Sequence, residues 1–292
     1  MDAALAASYE ECKRLNSLHG KTYYLATLLL PKNKRPYVHA LYGFARYADE
    51  IVDDLASTLS PAEKAEALRS WSSGVLADLK AGTSTDHIGR ALVDTARKFD
   101  IPHQHFVDFL HSMEMDLTIT QYQTYEDLLE YVYGSAAVIG LEMVPILGFS
   151  DQRAYEAAKK LGIAFQLANF IRDVAEDLDR GRVYLPLQEL AQFGVDRAML
   201  ERRILTPEII AALKFQIARV RQLQCEADIG IAYLDKVSRP CIRAASELYC
   251  GIVDEVEAIG YDIFNKRAKT STARRARVAG AAYIQAIAAR IG

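Results

Sequence analysis

The sequence predicts an all-α fold in a single domain that spans residues 1–292. Strand signals are nearly absent, because the chain has no Asn-Gly or Asp-Gly turn and no sustained alternation of apolar and polar residues. Helix-start signals are frequent, and no Gly/Ser-rich or Pro-rich linker divides the chain. The 51% share of hydrophobic residues is enough for a sizeable core.

Capping residues and prolines set the boundaries of the predicted helices. Residues 60–63 (SPAE) form a capping box with proline at the first helical position, and Thr206 and Thr124 begin similar starts. Pro145 lies inside a periodic segment and should kink or end its helix. Helices are predicted at 5–29, 36–57, 61–80, 87–99, 102–118, 124–148, 151–178, 187–193, 207–235, 239–262 and 272–290.

Charge and cysteine content exclude several classes of protein. A formal net charge of -3 does not indicate a nucleic-acid partner. The four cysteines form no CxxC pair, which is typical of reduced thiols in the cytosol. The start of the chain lacks a secretory signal, and the apolar run 135–149 is too short and too broken to span a bilayer. The sequence therefore predicts a cytoplasmic protein that is soluble or attached to the inner face of a membrane.

The stretch RYADEIVDD, from Arg46 to Asp54, concentrates acidic residues at the end of an apolar helix. Asp49 and Asp53 are four residues apart, so a helix places both carboxylates on one face, about 6 Å apart along its axis. Glu50 is predicted to point away from that face into solvent. Like charges at this spacing destabilise an isolated helix, so their presence needs a reason.

A second acidic stretch reads NFIRDVAEDLDRGRVYLP. Asn169, Asp173 and Asp177 repeat every four residues and again share one helix face. A solvated helix face is one interpretation of such patterns. The apolar flanks YVHALYGFARYA and LGIAFQLANFI favour the other interpretation, in which cations bind partly buried carboxylates.

Oxygen ligands of this kind suit Mg²⁺, with Mn²⁺ as a second candidate. The six histidines are scattered and offer no competing metal site, and the chain contains no HExxH, Walker A or dinucleotide-binding fingerprint.

These motifs together resemble the squalene/phytoene synthase family of prenyltransferases. The resemblance rests on HGKTYYLATLLLP, ALYGFARYADEIVDD, YVYGSAAVIG, NFIRDVAEDLDRGRVYLP and SRPCIRAASELYCGIVDEV, which cover nearly the whole chain. The pairing of YADEIVDD with NFIRDVAEDLDRGRVYLP resembles bacterial phytoene synthases in particular. The resemblance implies an isoprenoid-synthase-type helical bundle with a central cavity.

The resemblance also implies roles for individual residues. Metal ligands are expected at Asp49, Asp53, Asn169, Asp173 and Asp177, and the four aspartates act in catalysis together with Tyr42 and Tyr131. Substrate contacts are expected at His19, Lys21, Thr22, Arg46, Gln166, Arg172, Tyr249 and Lys266 or Arg267. Aromatic faces that could stabilise a carbocation are expected at Tyr42, Phe44, Tyr131, Phe165, Phe170 and Tyr249. Gly20 stands where many relatives carry Ser, so one hydroxyl contact is expected to be missing.

The reaction implied is Mg²⁺-dependent, head-to-head condensation of two geranylgeranyl diphosphates to phytoene, for which no NADPH is expected. One alternative is the same chemistry on farnesyl diphosphate, giving presqualene diphosphate, dehydrosqualene or squalene. A third hypothesis, from another class, is a non-catalytic helical assembly factor. The sequence does not indicate an oligomeric state.

Two basic segments each allow two interpretations. Residues 265–280 (NKRAKTSTARRARVAG) include six basic residues between Lys266 and Arg277, and they form either a solvated loop or a contact with an anionic membrane surface. In DLDRGRVYLP, Gly181 breaks the helix. Arg180 and Arg182 there either complement the helix dipole or fold over the diphosphates as a lid.

Overall fold

The computed structural model describes residues 2–53 and 59–291, except for the side chains of Asp53 and Pro61. Within these residues the chain forms sixteen α-helices and no β-strand, which confirms the all-α prediction. In chain order the helices are α1 Ala3–His19, α2 Lys21–Thr27, α3 Arg35–Asp53, α4 Pro61–Ala81, α5 His87–Phe99, α6 His103–Met115, α7 Tyr125–Val132, α8 Val138–Leu147, α9 Arg153–Arg172, α10 Val174–Asp179, α11 Leu187–Ala191, α12 Arg197–Glu201, α13 Pro207–Gly230, α14 Arg239–Cys250, α15 Ile252–Ala258 and α16 Thr272–Ile291.

The predicted caps agree with the observed helix starts. Ser60 and Glu63 form the capping box of α4, and Thr206 caps α13 ahead of Pro207. Thr124 forms a second capping box, with Asp127, at the start of α7. In each case a side-chain oxygen satisfies backbone N–H groups that have no partner within the helix.

Several long predicted helices are interrupted. The segment 5–29 divides at Gly20, 151–178 divides at Asp173, and 239–262 divides at Gly251. The short helix α12 was not predicted at all. At Gly20 and Gly251 the backbone lies close to the side chains of Tyr42 and Arg274, so contacts between distant parts of the chain accompany these breaks.

Helix α9 lies at the centre of the bundle. It packs against α13 along its length and also contacts α8, α14 and α15. One core cluster surrounds α9 and α13, a second joins α1, α3, α5 and α6, and a third joins α2, α8 and α14. The arrangement leaves α9 with one side facing the space enclosed by α2, α3 and α8.

A π-helical turn, Tyr133–Ala137, connects α7 to α8. Here α6 and α9 approach the backbone closely. A Cβ atom on Gly134 would lie 2.1 Å from the carbonyl oxygen of Asp108, and one on Gly162 would lie 2.5 Å from that of Ala136. Such turns are frequent at functional sites, because they change which side chains face inward.

The run Tyr125–Leu147 is long and apolar enough to cross a membrane by length and composition alone. In the structure it packs between α6 and α9, and Leu128, Val138 and Ile146 are fully buried there. It is therefore a core helix of the bundle. Pro145 lies in its last turn, and the helix ends two residues later, as predicted.

Candidate active site

A polar pocket of about 350 Å³ lies between α3, α6, α9 and α10. It brings together eleven of the residues singled out from the sequence. These are Tyr42, Arg46, Asp49, Tyr131, Gln166, Asn169, Phe170, Arg172, Asp173, Asp177 and Arg180. The two acidic stretches, more than a hundred residues apart in the chain, therefore face the same space.

The second acidic stretch keeps its register although α9 ends at Arg172. The backbone N–H of Asp173 donates to the carbonyl of Asn169, and that of Asp177 donates to the carbonyl of Asp173, both at 2.9 Å. Asp173 itself leaves helical geometry, with φ -101° and ψ 13°. The i, i+4 repeat predicted from the sequence thus holds across the break.

Guanidinium groups partly neutralise the carboxylates of the pocket. Arg46 lies 2.7 Å from Asp49, and Arg172 donates to both carboxylate oxygens of Asp173. Arg267 reaches Asp173 from the far end of the chain at 3.1 Å. Because a diphosphate prefers the same planar donors, it would compete with these aspartates for their arginines.

Asp177 has an unfavourable environment for a charge. Burial, together with the nearby carboxylate of Asp173, raises the pKa of Asp177 to about 8. The side-chain oxygen Oδ1 of Asn169 is also buried and has no hydrogen-bond partner among the described residues. A bound cation would satisfy both groups.

The donor set therefore fits Mg²⁺, with most of the coordination left to the substrate. Among the residues that the structure describes, no three His, Cys, Asp or Glu side chains lie close enough together to hold a metal ion. Mg²⁺ typically binds through one or two carboxylates plus substrate phosphates, so a closed protein cage is not needed. The predicted ligand side chain of Asp53 lies outside the described residues.

Asp116 is a pocket residue that the sequence did not indicate. It follows the end of α6 and accepts hydrogen bonds from the hydroxyls of Tyr131 (2.7 Å) and Tyr184 (2.8 Å). Arg182 donates to its backbone carbonyl at 2.8 Å. A single aspartate after a helix belongs to no recognisable sequence motif. Its three hydrogen-bonding partners are brought together only when the chain folds.

Aromatic rings form one wall of the polar pocket. Tyr184 stacks on Phe170 with ring centroids 4.2 Å apart and lies 5.5 Å from Tyr131. Such faces attract cations. The expectation for Phe44 was wrong, because this residue is fully buried in the core against Phe106 and Phe109.

An apolar cavity of about 300 Å³ continues from the polar pocket. Both spaces are lined by Tyr42, Ala45, Phe109, Ser135 and Gln166, so they share one wall. Burial raises the pKa of Tyr42 to about 12, which keeps its hydroxyl protonated at this boundary.

Small residues make up much of the wall of the apolar cavity. They come from α8, α9, α13 and α14, and include Gly140, Ala154, Ala157, Ala158, Gly162, Ala227, Gly230 and Ala245. Phe165 also lines this cavity, close to Tyr249 (ring centroids 4.9 Å apart).

The predicted residues of the N-terminal segment lie near the rim of the pocket. The Nε2 atom of His19 is 3.7 Å from Glu50, which is also held by Arg46 and is therefore not simply solvated as predicted. A Cβ atom on Gly20 would lie 2.5 Å from the ring of Tyr42, so the chain passes this ring too closely for a serine without adjustment. Lys21 is exposed.

Of the substrate contacts predicted in the C-terminal part of the chain, some lie at the site and one does not. Tyr249 is buried beside Tyr23, with ring centroids 4.6 Å apart, and adjoins Thr22 and Arg172. Of the two basic candidates, Arg267 reaches the site through Asp173, whereas Lys266 is largely exposed and lies 3.7 Å from Asp262. The roles of all these residues remain predictions.

Both arginines of the predicted lid adjoin the pocket. Arg180 lines it, and Arg182 is held by Asp116 and Tyr184. Gly181 between them has a positive φ of 72°, which an L-residue adopts only with strain. The N–H of Val183 donates to the carbonyl of Thr120, which fixes the far end of this loop.

Residues 17–274 match the model of the squalene/phytoene synthase family. This chain belongs to the squalene/phytoene synthase family. It is 38% identical to the maize protein named phytoene synthase 2, chloroplastic, over 98% of this chain and 71% of the maize chain.

Two further relatives extend the comparison within the squalene/phytoene synthases. The chain is 36% identical to the 15-cis-phytoene synthase of Synechococcus elongatus, over 94% of this chain and 91% of that protein. A crystal structure of a dehydrosqualene synthase superimposes with a TM-score of 0.87 at 27% identity, covering 97% of this chain and 98% of that one. The predicted isoprenoid-synthase-type bundle and phytoene synthase-like prenyltransferase are thereby confirmed.

Replacing Asp116 by Asn should destabilise the fold and slow turnover. The substitution removes the charged acceptor of two buried hydroxyls, so the free energy of unfolding should fall by about 1–3 kcal/mol in a urea titration. Asp94→Asn is the matched control, because Asp94 accepts from Tyr9 at 2.6 Å outside the site and should leave turnover unchanged.

A double-mutant cycle separates the network from two independent bonds. If Asp116 and Tyr184 act together, Tyr184→Phe should add little destabilisation to Asp116→Asn. Full additivity of the two single substitutions would contradict the shared network.

Proposed function

We propose that the chain joins two geranylgeranyl diphosphates head to head and releases phytoene. The observation that carries this proposal is the shared wall between the two spaces. A charged pocket with two facing acidic stretches opens directly into an apolar cavity. That arrangement suits substrates with a diphosphate at one end and a hydrocarbon chain at the other.

The pocket would bind the diphosphate head groups. Four carboxylates and three guanidiniums line it, namely Asp49, Asp116, Asp173 and Asp177 with Arg46, Arg172 and Arg180. The carboxylates would repel a diphosphate unless further positive charge accompanies it. On α3, Asp49 would hold Mg²⁺, and Asp53 is a further proposed ligand. Around the junction of α9 and α10, the ligands would be Asn169, Asp173 and Asp177. Bound Mg²⁺ would neutralise the diphosphate and favour its departure.

Arginines would direct the departing charge. Arg46 and Arg172 would exchange their aspartate partners for diphosphate oxygens, because Asp49 and Asp173 would be the residues that hold Mg²⁺. Arg180, Arg182 and Arg267 would close the site from the outer side. The allylic C–O bond breaks as these donors stabilise the leaving group.

The apolar cavity would protect the carbocation from water. Its wall contains Phe165 and the small residues of α9. The rings of Tyr131, Phe170 and Tyr184 line the polar pocket, where the diphosphate would leave. The cation adds to the double bond of the second substrate, and loss of a proton gives a cyclopropyl diphosphate. A second ionisation, rearrangement and proton loss then give phytoene, so each half-reaction releases one diphosphate and one proton.

The length of the cavity supports the C20 substrate. Along α9 the wall runs from Gln166 at the polar end to Ala154 at the far end, twelve residues or about 18 Å of helix. Small side chains along this path leave room for a long chain. The name of the Synechococcus relative supports the same product, whereas the name of the structural relative supports the C15 alternative at lower identity.

Product analysis tests the proposal directly. The purified protein with Mg²⁺ and the C20 diphosphate should form phytoene without NADPH. Asp49→Asn or Asp173→Asn should lower turnover by about 10²-fold or more, because each removes a proposed Mg²⁺ ligand and so weakens the stabilisation of the departing diphosphate. Asp179→Asn is a matched control in the same acidic stretch, since Asp179 is exposed and pairs with Arg203 outside the pocket.

A hydrocarbon formed only from the C15 diphosphate would favour the alternative substrate. Turnover that survives both Asp49→Asn and Asp173→Asn would overturn the assignment of the site. An absence of any product with either substrate would favour the non-catalytic assembly factor.

Filling the far end of the cavity should shift the substrate preference. Ala154→Phe places a ring where the end of a C20 chain would lie, so kcat/KM for the C20 diphosphate should fall while that for the C15 diphosphate is retained or rises. Ala154→Val should give a smaller shift in the same direction. An equal loss with both substrates would mean that Ala154 does not limit chain length.

A further inference from the structure

The last long helix, α16, has apolar residues on two opposite sides. Val278, Ala282 and Ala286 are buried, and α16 packs on α14. The opposite side carries Tyr283, Ile284, Ile287 and Ile291, whose exposed fractions are 59%, 70%, 39% and 84%. At 100° per residue, Ile284, Ile287 and Ile291 form one outward stripe, which we call the outer stripe.

An apolar stripe on each side of a helix is typical of a helix with two partners. Among the described residues, the bundle supplies only the inner partner, α14. Near the outer stripe, Arg290 donates to the carbonyl of Leu29 at 2.7 Å and ties the last turn of α16 to the end of α2. Leu25 and Leu28, within one turn of that contact, are exposed as well.

A cationic pocket lies beside the outer stripe. Lys236, just before α14, and Arg239 and Arg243 in its first turns form one side of it. Gln285, Ala288 and Ala289 of α16 form the other side. No carboxylate of the described residues lines it. Lys236 and Arg243 form no ion pair with a residue in the described part of the chain, so their charges are available to an anion.

The C-terminal segment of the sequence carries basic residues only. Residues 263–291 contain seven basic residues and no acidic residue, although the whole chain has a net charge of -3. Four of the six basic residues between Lys266 and Arg277 pair with carboxylates of the protein. That segment is therefore less suited to bind a membrane than the pocket beside α16.

We propose that the outer stripe and the Lys236–Arg239–Arg243 pocket form one docking surface for an anionic lipid bilayer. The isoleucines enter the boundary of the acyl chains, and the pocket receives a lipid phosphate. An exposed apolar stripe flanked by cations is the pattern of a helix that lies in a membrane interface.

The position of this surface connects it to the proposed function. α14 lies between α16 and the apolar cavity, where Cys241, Ile242 and Ala245 form part of the wall. Docking through α16 would hold the hydrocarbon end of the cavity close to the bilayer that dissolves substrate and product. The docking itself needs no turnover, so it can be tested without reference to the reaction.

Vesicle flotation with the full chain tests the proposal. The protein should bind vesicles of phosphatidylcholine mixed with phosphatidylglycerol and bind pure phosphatidylcholine weakly. Ile284→Gln with Ile287→Gln should lower the partition coefficient roughly tenfold or more, because two exposed apolar side chains no longer enter the interface. Lys236→Gln with Arg243→Gln should lower it about tenfold on anionic vesicles only.

Matched controls change the same chemistry elsewhere. Ile204→Gln with Ile229→Gln alters two other exposed isoleucines, and Lys80→Gln with Lys214→Gln removes two other exposed cations. All these variants should retain the circular dichroism spectrum of the unaltered chain and its turnover of detergent-dispersed substrate.

Three results would overturn the docking surface. The first is no binding to anionic vesicles, or an equal loss in the controls. The second is binding of inorganic phosphate by the pocket without binding of vesicles, which would make it a site for a free anion. The third is a dimer in sedimentation equilibrium that the Ile284/Ile287 substitutions dissociate, which would assign the stripe to a second copy of this chain.

Discussion

Repulsion between two sets of carboxylates around one pocket is the constraint on which the rest of the structure depends. α3 presents Asp49, while α9 and α10 present Asp173 and Asp177 to the same space. The protein balances part of this charge with Arg46, Arg172 and Arg267. The balance is incomplete, as the raised pKa of Asp177 and the unpartnered oxygen of Asn169 indicate. A site in this condition is suited to receive cations together with an anionic substrate.

The packing of α9 explains why the polar pocket and the apolar cavity are adjacent. One helix carries Asn169 and Gln166 at its polar end and Ala154, Ala158 and Gly162 along the cavity. Gly162 lies against the carbonyl of Ala136, so α9 and the π-helical turn approach closely. That turn contributes Ser135 to the polar pocket, and Tyr131 lines the same pocket from the end of α7. The same few turns of helix therefore position the head group and the chain.

Much of the site could be predicted because its motifs consist of residues that are close together in the sequence. An i, i+4 repeat of oxygen-bearing side chains on an apolar helix predicts a cation site from a few neighbouring residues alone. The structure agrees, because the pocket is lined by Asp49, Asn169, Asp173 and Asp177. Helix starts at Ser60, Thr124 and Thr206 were equally local, since a cap needs only its own first turn.

Features that depend on distant contacts could not be predicted. Asp116 gains its role only when Tyr131 and Tyr184 converge on it, and Arg267 rather than Lys266 reaches Asp173 because of the path of the loop before α16. The breaks at Gly20 and Gly251 lie where Tyr42 and Arg274, which are distant in sequence, approach the backbone closely. The exposure of the outer stripe of α16 could not be predicted either, because the sequence of an apolar helix does not show how many of its sides are covered by other parts of the fold.

Binding of a non-ionising prenyl thiolodiphosphate, measured by calorimetry with and without Mg²⁺, tests the central claim most directly. If the facing carboxylates hold cations between themselves and the diphosphate, removing Mg²⁺ should weaken binding by about a hundredfold or more, since the carboxylates would then repel the ligand. Replacing Asp49 or Asp173 by Asn should remove most of that Mg²⁺ dependence. Equal affinity with and without Mg²⁺ in the unaltered protein would contradict the account.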